Sequence, residues 1–327
     1  MTLPVDIAEH YAARKSFAIY RFPGEDTVYV AGEHGDFYIN TWNSASKDNI
    51  LIEDASGIPG LFSQPWTVST DRDAYMMSTN RLIAAVARWG GKCVRSRVTA
   101  AHGVRIDLNG VVSELFRRFP TAFCHCYYTP ATGLWAGATP ELLADVHDGC
   151  VTTMALAGTR QSGTDEPWDS KNVEEQELVT RFICDCMCRS GLEPRTGITR
   201  TLRYGTIEHI CTDIKAEGCG DNVLPLLDLL SPTPAVAGYP RAMALAEIEE
   251  YEDAPRRCYG GYVMVREGNS RLRAYVNLRC AQLAPDAWCV YAGGGITPQS
   301  HADDEWHETE AKSAAWLDIL SHNTLSL

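Results

Sequence analysis

The residues best placed to do chemistry are carboxylates at the starts of two separate segments. In "SHADDEWHETEAKSAAWLDIL", residues 300–320, Ser300 with Asp303 three residues on has the form of a capping box, and Ala311 to Ile319 supply an apolar side. At 3.6 residues per turn Glu305, Glu308 and Lys312 share a face, and Glu308 continues the line of Ala315 and Ile319. "DSKNVEEQELVTRFICDCM" repeats the pattern, with Glu175 extending the stripe Val179, Phe182, Cys186. One such carboxylate is an ordinary helix start, where the helix dipole favours acids. Two on separate helices also suit a Mg²⁺ ion, which is held by one or two carboxylates plus water and substrate oxygens. The residues alone leave both readings open.

Other candidates are weaker singly. "YAGGGIT" ends a strand-like run and could bring backbone N–H groups to an anion, but it has neither P-loop nor G-x-G-x-x-G spacing. "SPTPAVAGYP" must be a rigid, irregular loop. Arg279 shares one strand face with Asn277 in "AYVNLRCAQL", with Gln282 on the other. His209 lies in the strand-like "TIEHICTDI", and Lys92 opens a strand after a Gly-Gly turn. Each of these has a purely structural alternative.

The elements that position these residues form an α+β pattern. Strand-like runs such as "KCVRSRVTA", "TAFCHCYY", "LLADVHDG", "VTTMALAGT" and "AWCVYAGGGIT" come in groups, with helical segments between the groups. Helices are expected over 71–90, over "LNGVVSELFRRF", from about Ser170 to Arg189, in "NVLPLLDLL" and "PRAMALAEIEE", and at the end of the chain. Grouped strands argue for large, mostly antiparallel sheets with helices packed outside, not a doubly wound sheet. The chain has 327 residues, 45% of them hydrophobic, enough for a substantial core. Its formal charge of −13 and the lack of any basic run argue against nucleic acid. No secretory signal and no apolar run of roughly 18 residues is evident, so a cytoplasmic protein without membrane association is expected. The twelve cysteines lack paired zinc spacing and read as reduced core residues.

Taken in order, the motifs resemble the chorismate-utilising enzymes, and among them the isochorismate synthases. "KCVRSRV" is similar to the family's Lys-Val-Val-Leu-Ser-Arg strand, "GATPELL" to Gly-Ala-Ser-Pro-Glu-Leu-Leu, and "ALAGTR" to Pro-Leu-Ala-Gly-Ser/Thr. "SKNVEEQELV", "SPTPAVAGYP", "YGGYV", "NLRCAQL" and "AGGGITPQSHADDEWHETEAK" each resemble a family segment in the right order. The resemblance covers roughly residues 75–322 as a family core, while 1–70 match nothing in it, and it implies one chorismate-binding catalytic domain over 1–327.

It further implies that Glu175 and Glu308 bind Mg²⁺, with Glu305 assisting through water, that Lys92 is the general base and that Glu141 is the general acid. Arg279, Lys312 and the Gly158 and Gly293 backbones would hold the two substrate carboxylates, with Thr159, His209 and Ala235 lining the same pocket. The implied reaction adds water at C2 of chorismate and removes the 4-hydroxyl, giving isochorismate. Lys92 argues against the ammonia-using members, so no glutamine amidotransferase subunit is expected, only a monomer or homodimer. Ala235 and Val236 stand in place of a Thr-containing loop, which favours stopping at isochorismate over going on to salicylate. Gln176 and Ser231 stand where the family more often has His, and Asn172-Val173 replace Asp-Arg. Whether the product serves menaquinone, a siderophore or salicylate is left open.

Overall fold

The computed structural model describes residues 2–42, 50–52, 63–164, 166–205, 207–220 and 223–325. An eight-stranded sheet runs in the order β14 (Gly238–Tyr239), β5 (Lys92–His102), β18 (Ala287–Ile296), β17 (Cys280–Ala284), β8 (Gly133–Thr139), β7 (Phe123–Thr129), β1 (Phe17–Arg21), β2 (Tyr29–Val30). A nine-stranded sheet runs β11 (Arg195–Thr196), β13 (Ile207–Glu217), β10 (Cys150–Gln161), β9 (Leu142–His147), β16 (Arg271–Val276), β15 (Tyr262–Glu267), β3 (Asp36–Asn40), β4 (Ile50–Leu51), with β12 (Arg200–Tyr204) also paired to β13. A short ribbon joins β6 (Arg105–Ile106) to β19 (Thr324–Leu325). Every strand pairing among the described residues is antiparallel, as the grouped strands led us to expect.

Side chains alternate between two apolar layers along each strand of the smaller sheet. Phe17, Ile19, Cys124, Cys126, Leu134 and Ala136 pack with helices α1 (Ile7–Ala12), α3 (Leu108–Arg118) and α7 (Ala302–His322). The intervening Ala18, Tyr20, Phe123, Tyr127 and Trp135 meet Phe37, Val263, Val265 and Tyr275 of the larger sheet. Helices α4 (Ser170–Arg189) and α5 (Leu224–Leu230) cover the far face of that sheet, and α2 (Arg72–Trp89) with α6 (Arg241–Tyr251) close the β5 edge. Two helix starts that matter later are set by aspartate caps. Asp71 accepts from the Ala74 N–H at 2.9 Å and Asp169 from the Asn172 N–H at 2.8 Å.

The Phe123 and Tyr275 rings stack between the sheets, centroids 4.0 Å apart and planes 2° from parallel. Phe123→Ala is expected to cost about 3–5 kcal/mol, seen as a lower urea midpoint with an unchanged slope.

Two expectations need correction. "AYVNLRCAQL" is not one strand: β16 ends in the larger sheet at Val276 and β17 begins in the smaller sheet at Cys280. Residues 277–279 carry the chain between sheets, and Arg279 sits in the turn with φ +49°, not on a strand face. The residue pattern does not show the crossing, because polar and apolar residues are mixed on both sides of it and the segments before and after are both strand-like. The capping box at Ser300 is also absent. Helix α7 starts one residue later, with His301 at the cap position and no side-chain cap. Ser300 turns inward, accepting from the Thr297 N–H at 3.0 Å and donating to Glu305 Oε1 at 2.6 Å. Of the expected helix "NVLPLLDLL", Asn222 lies outside the described residues. The N-terminal stretch is part of the core, since β1 pairs with β7 and β3 with β15.

Candidate active site

The start of β5, the glycine run of β18, the end of β10, the start of β13, the first two turns of α4, the second and third turns of α7, and the inter-sheet turn converge on one pocket. Eleven of the twelve residues singled out in the sequence line it: Lys92, Glu141, Gly158, Thr159, Glu175, His209, Ala235, Arg279, Gly293, Glu308 and Lys312. Glu305 is the exception. It is 2% exposed and lies behind the pocket wall, where Ser300 Oγ and Lys171 Nζ (3.0 Å) bond its Oε1 while its buried Oε2 has no partner.

The glycines of β18 make room for the functional side chains. A Cβ at Gly293 would lie 2.8 Å from the Tyr259 hydroxyl, at Gly294 2.8 Å from Glu305 Oε2, and at Gly295 2.7 Å from Lys92 Cε. Lys92 therefore lies across the strand, only 3% exposed, with Nζ 2.5 Å from Glu175 Oε1. It is no exposed strand-start lysine. One turn beyond Glu308 in α7, Lys312 Nζ donates to Glu308 Oε1 at 2.6 Å and to the Gly293 carbonyl at 2.8 Å.

Burial and neighbouring charge tune the site's acids in opposite directions. Glu141 is 4% exposed, and burial pushes its carboxyl up to about 7, against the Thr233 hydroxyl at 3.2 Å and the charges of Lys92 and Arg279. Burial also opposes charge on Glu308, but Lys312, Lys171 and Lys92 outweigh it and hold that carboxyl below its usual value. Glu305 is pushed up by burial and by the Glu308 charge beside it. Because folded Glu141 keeps its proton to about 7, against 4.5 for a free carboxyl, its contribution to stability is full below about 4.5 and is lost as pH rises to about 7. Glu141→Gln should remove that slope, as urea midpoints measured between pH 4 and 8 on both proteins would show.

His209 is pushed down to about 3 by burial and then by the Arg279 charge, so it is neutral. Its Nδ1 faces the Gly158 carbonyl at 2.7 Å and must carry the hydrogen, which leaves Nε2 to accept from Arg279 Nη2 at 3.3 Å. Gly158, at φ +72°, turns β10 so that Thr159 N–H meets Asn172 Oδ1 at 3.1 Å.

Reading the sequence missed Lys171, Asn172 and Tyr259, all of which line the pocket. Lys171 was within reach of helical spacing, since it lies four residues before Glu175. The departures at 172, 176 and 231 sort differently. Asn172 borders the pocket, while buried Gln176 donates to Thr212 Oγ1 at 2.6 Å and to Thr180 Oγ1 at 3.0 Å, away from it. Ser231 is likewise not part of the lining.

Among the described residues no group of three or more His, Cys, Asp and Glu side chains is gathered as a metal site. A magnesium ion does not require one, because it takes one or two carboxylates and completes its shell with water and substrate oxygen. Glu175 of α4 and Glu308 of α7 offer oxygen donors in one pocket, and the buried Oε2 of Glu305 has no partner. This all-oxygen set fits such an ion. No helix among the described residues is long and apolar enough to cross a membrane.

A family model described as chorismate binding enzyme matches residues 91–321. Isochorismate synthase EntC of Escherichia coli (strain K12) is 28% identical over 226 residues, 65% of this chain and 58% of that protein. Anthranilate synthase component 1 of Aquifex aeolicus (strain VF5) is 30% identical over 241 residues, 68% of this chain and 49% of that protein. The chain thus spans about half to three-fifths of the length of these relatives. Among solved structures, MenF, the menaquinone-specific isochorismate synthase from Escherichia coli, superposes with a TM-score of 0.81 at 20% identity, over 97% of this chain and 92% of that one. That likeness shows a shared fold. The family match extends over most of the sequence and takes in the strand of Lys92, both acidic helix starts and the inter-sheet arginine: the chain belongs to the chorismate binding enzyme family.

Proposed function

We propose that this protein is an isochorismate synthase, isomerising chorismate by adding water at C2 and releasing the 4-hydroxyl as water. The observation that carries the reading is one pocket that a buried lysine, a buried glutamic acid raised to about 7 and a half-buried arginine line together. Substrate is a dianion and the protein carries a formal charge of −13, so local cations must overcome the general field. Arg279 and Lys312, with the Gly158 and Gly293 backbones, hold the two carboxylates.

Lys92 takes a proton from the attacking water, and Glu141 gives one to the departing hydroxyl. One proton is taken and one given, so the net change is an isomerisation. An acid of this kind must be neutral near pH 7, which burial of Glu141 favours. The residues that would hold Mg²⁺ are Glu175 and Glu308, with Glu305 acting through water. When bound, the ion would draw electron density from the ring carboxylate. Lys92 Nζ lies 2.5 Å from Glu175 Oε1, so the base and this carboxylate work as a linked pair.

Chromatography of the products from purified protein, chorismate and Mg²⁺ near neutral pH tests the reading. Isochorismate is the expected main product, with no aminated product when ammonium salts are added. Stoichiometric pyruvate with salicylate would make this a salicylate synthase instead.

A further inference from the structure

Arg279 is half-buried, yet its one side-chain hydrogen-bond partner among the described residues is the neutral His209. A guanidinium partly withdrawn from water needs something to offset its lost hydration. Here an aromatic ring does so: Arg279 Cζ lies 5.2 Å from the centroid of Tyr204, the last residue of β12. The Tyr204 ring in turn stacks on Phe119, centroids 5.2 Å apart and planes 7° from parallel.

The backbone is secured at the same point. Tyr204 Oη donates to the Ala138 carbonyl, and the Ala138 N–H donates to the Arg279 carbonyl at 3.2 Å. That carbonyl also accepts from Trp316 Nε1 at 2.7 Å, which ties the turn to the helix carrying Glu308 and Lys312. Tyr204 itself does not line the pocket. Its direct ring contact with the pocket lining is the one to Arg279.

An aromatic partner differs from a carboxylate in a way that matters for anion binding. A carboxylate would occupy the guanidinium's N–H donors and cancel its charge, whereas a ring face leaves both available. We propose that Tyr204 is a positioning residue that aims the Arg279 guanidinium at the pocket and sets affinity for a carboxylate-bearing substrate. The proposal rests on the reading of Arg279 as a ligand of a chorismate carboxylate.

A double-mutant cycle with Arg279→Gln tests it, reading the Kd for chorismate, KM and kcat. Tyr204→Leu should raise Kd and KM about tenfold, between an exposed and a fully desolvated cation–π contact, and leave kcat within about threefold. Tyr204→Phe keeps the ring and should stay within about twofold of wild type. In the Arg279→Gln background, Tyr204→Leu should change nothing further. If circular dichroism shows the leucine variant unfolded, Tyr204→Met takes its place in the cycle. The proposal is overturned if the ring-less variant binds chorismate like wild type. It is also overturned if Tyr204→Phe loses as much, or if the loss persists unchanged without Arg279. A wild-type protein that does not bind chorismate would instead overturn the reading of the site, and this proposal with it.

Discussion

Lys92→Ala is expected to lower kcat at least about 10²-fold, the usual worth of a general base, while chorismate still binds. Alanine removes the proton acceptor and leaves Arg279 and Lys312 to hold the dianion. Lys92→Arg makes the test sharper. Arginine can keep an ion pair with Glu175, now 2.5 Å from Lys92 Nζ, but it stays protonated in proteins. If Lys92 acts as a base, the arginine variant should be nearly as inactive as the alanine one. If the site needs only positive charge there, arginine should restore turnover. Most of the wild-type rate surviving in Lys92→Ala would remove both the base assignment and the argument for water over ammonia as nucleophile. A thermal melt of each variant guards against a folding artefact, because a side chain only 3% exposed is being replaced.

The second large effect concerns the acidic helix starts. Glu175→Gln and Glu308→Gln should each abolish Mg²⁺-dependent turnover, yet both should fold. Glutamine retains a carbonyl oxygen for Lys92 or Lys312, and one charge lost from a helix start costs roughly 0.3–1 kcal/mol. A readout separate from activity is the shift of the melting temperature with added Mg²⁺, since a ligand that binds the native state stabilises it. Wild type should be stabilised, and either variant much less so. Near-normal activity in either variant at saturating chorismate and ordinary Mg²⁺ would defeat the metal assignment. Glu305→Gln should have the smaller effect of the three, because that carboxylate is tied to Ser300 and Lys171 behind the pocket wall.

How much of this could be read from the residues differs from one position to the next. Glu175 and Glu308 stood out because a helix repeats every 3.6 residues, so a carboxylate that continues an apolar stripe is visible without coordinates. The strands and helices, and the antiparallel plan, were legible for the same reason, as period and punctuation are local properties. Helix α4 covers Ser170–Arg189 as read, and helix 71–90 closes at Gly90 as expected. The assignments of Lys92 and Glu141 as base and acid came from resemblance, since a lysine after Gly-Gly looks solvent-exposed and nothing near Glu141 in the chain announces its burial.

Tertiary packing settled the rest, because it depends on contacts between residues far apart in the chain. Lys92 meets Glu175 across 83 positions, and Lys171 meets Glu305 across 134. The switch of the chain from one sheet to the other at residues 277–279 is hidden between two strand-like segments with no Gly or Pro to mark it, yet it places Arg279 in a left-handed turn between the two layers. Tyr204 gave no local signal, since its partners Phe119, Ala138 and Arg279 come from three other parts of the chain. Charge tuning is non-local for the same physical reason: burial in the assembled layers raises the Glu141 carboxyl to about 7, and burial with the Arg279 charge makes His209 a neutral acceptor.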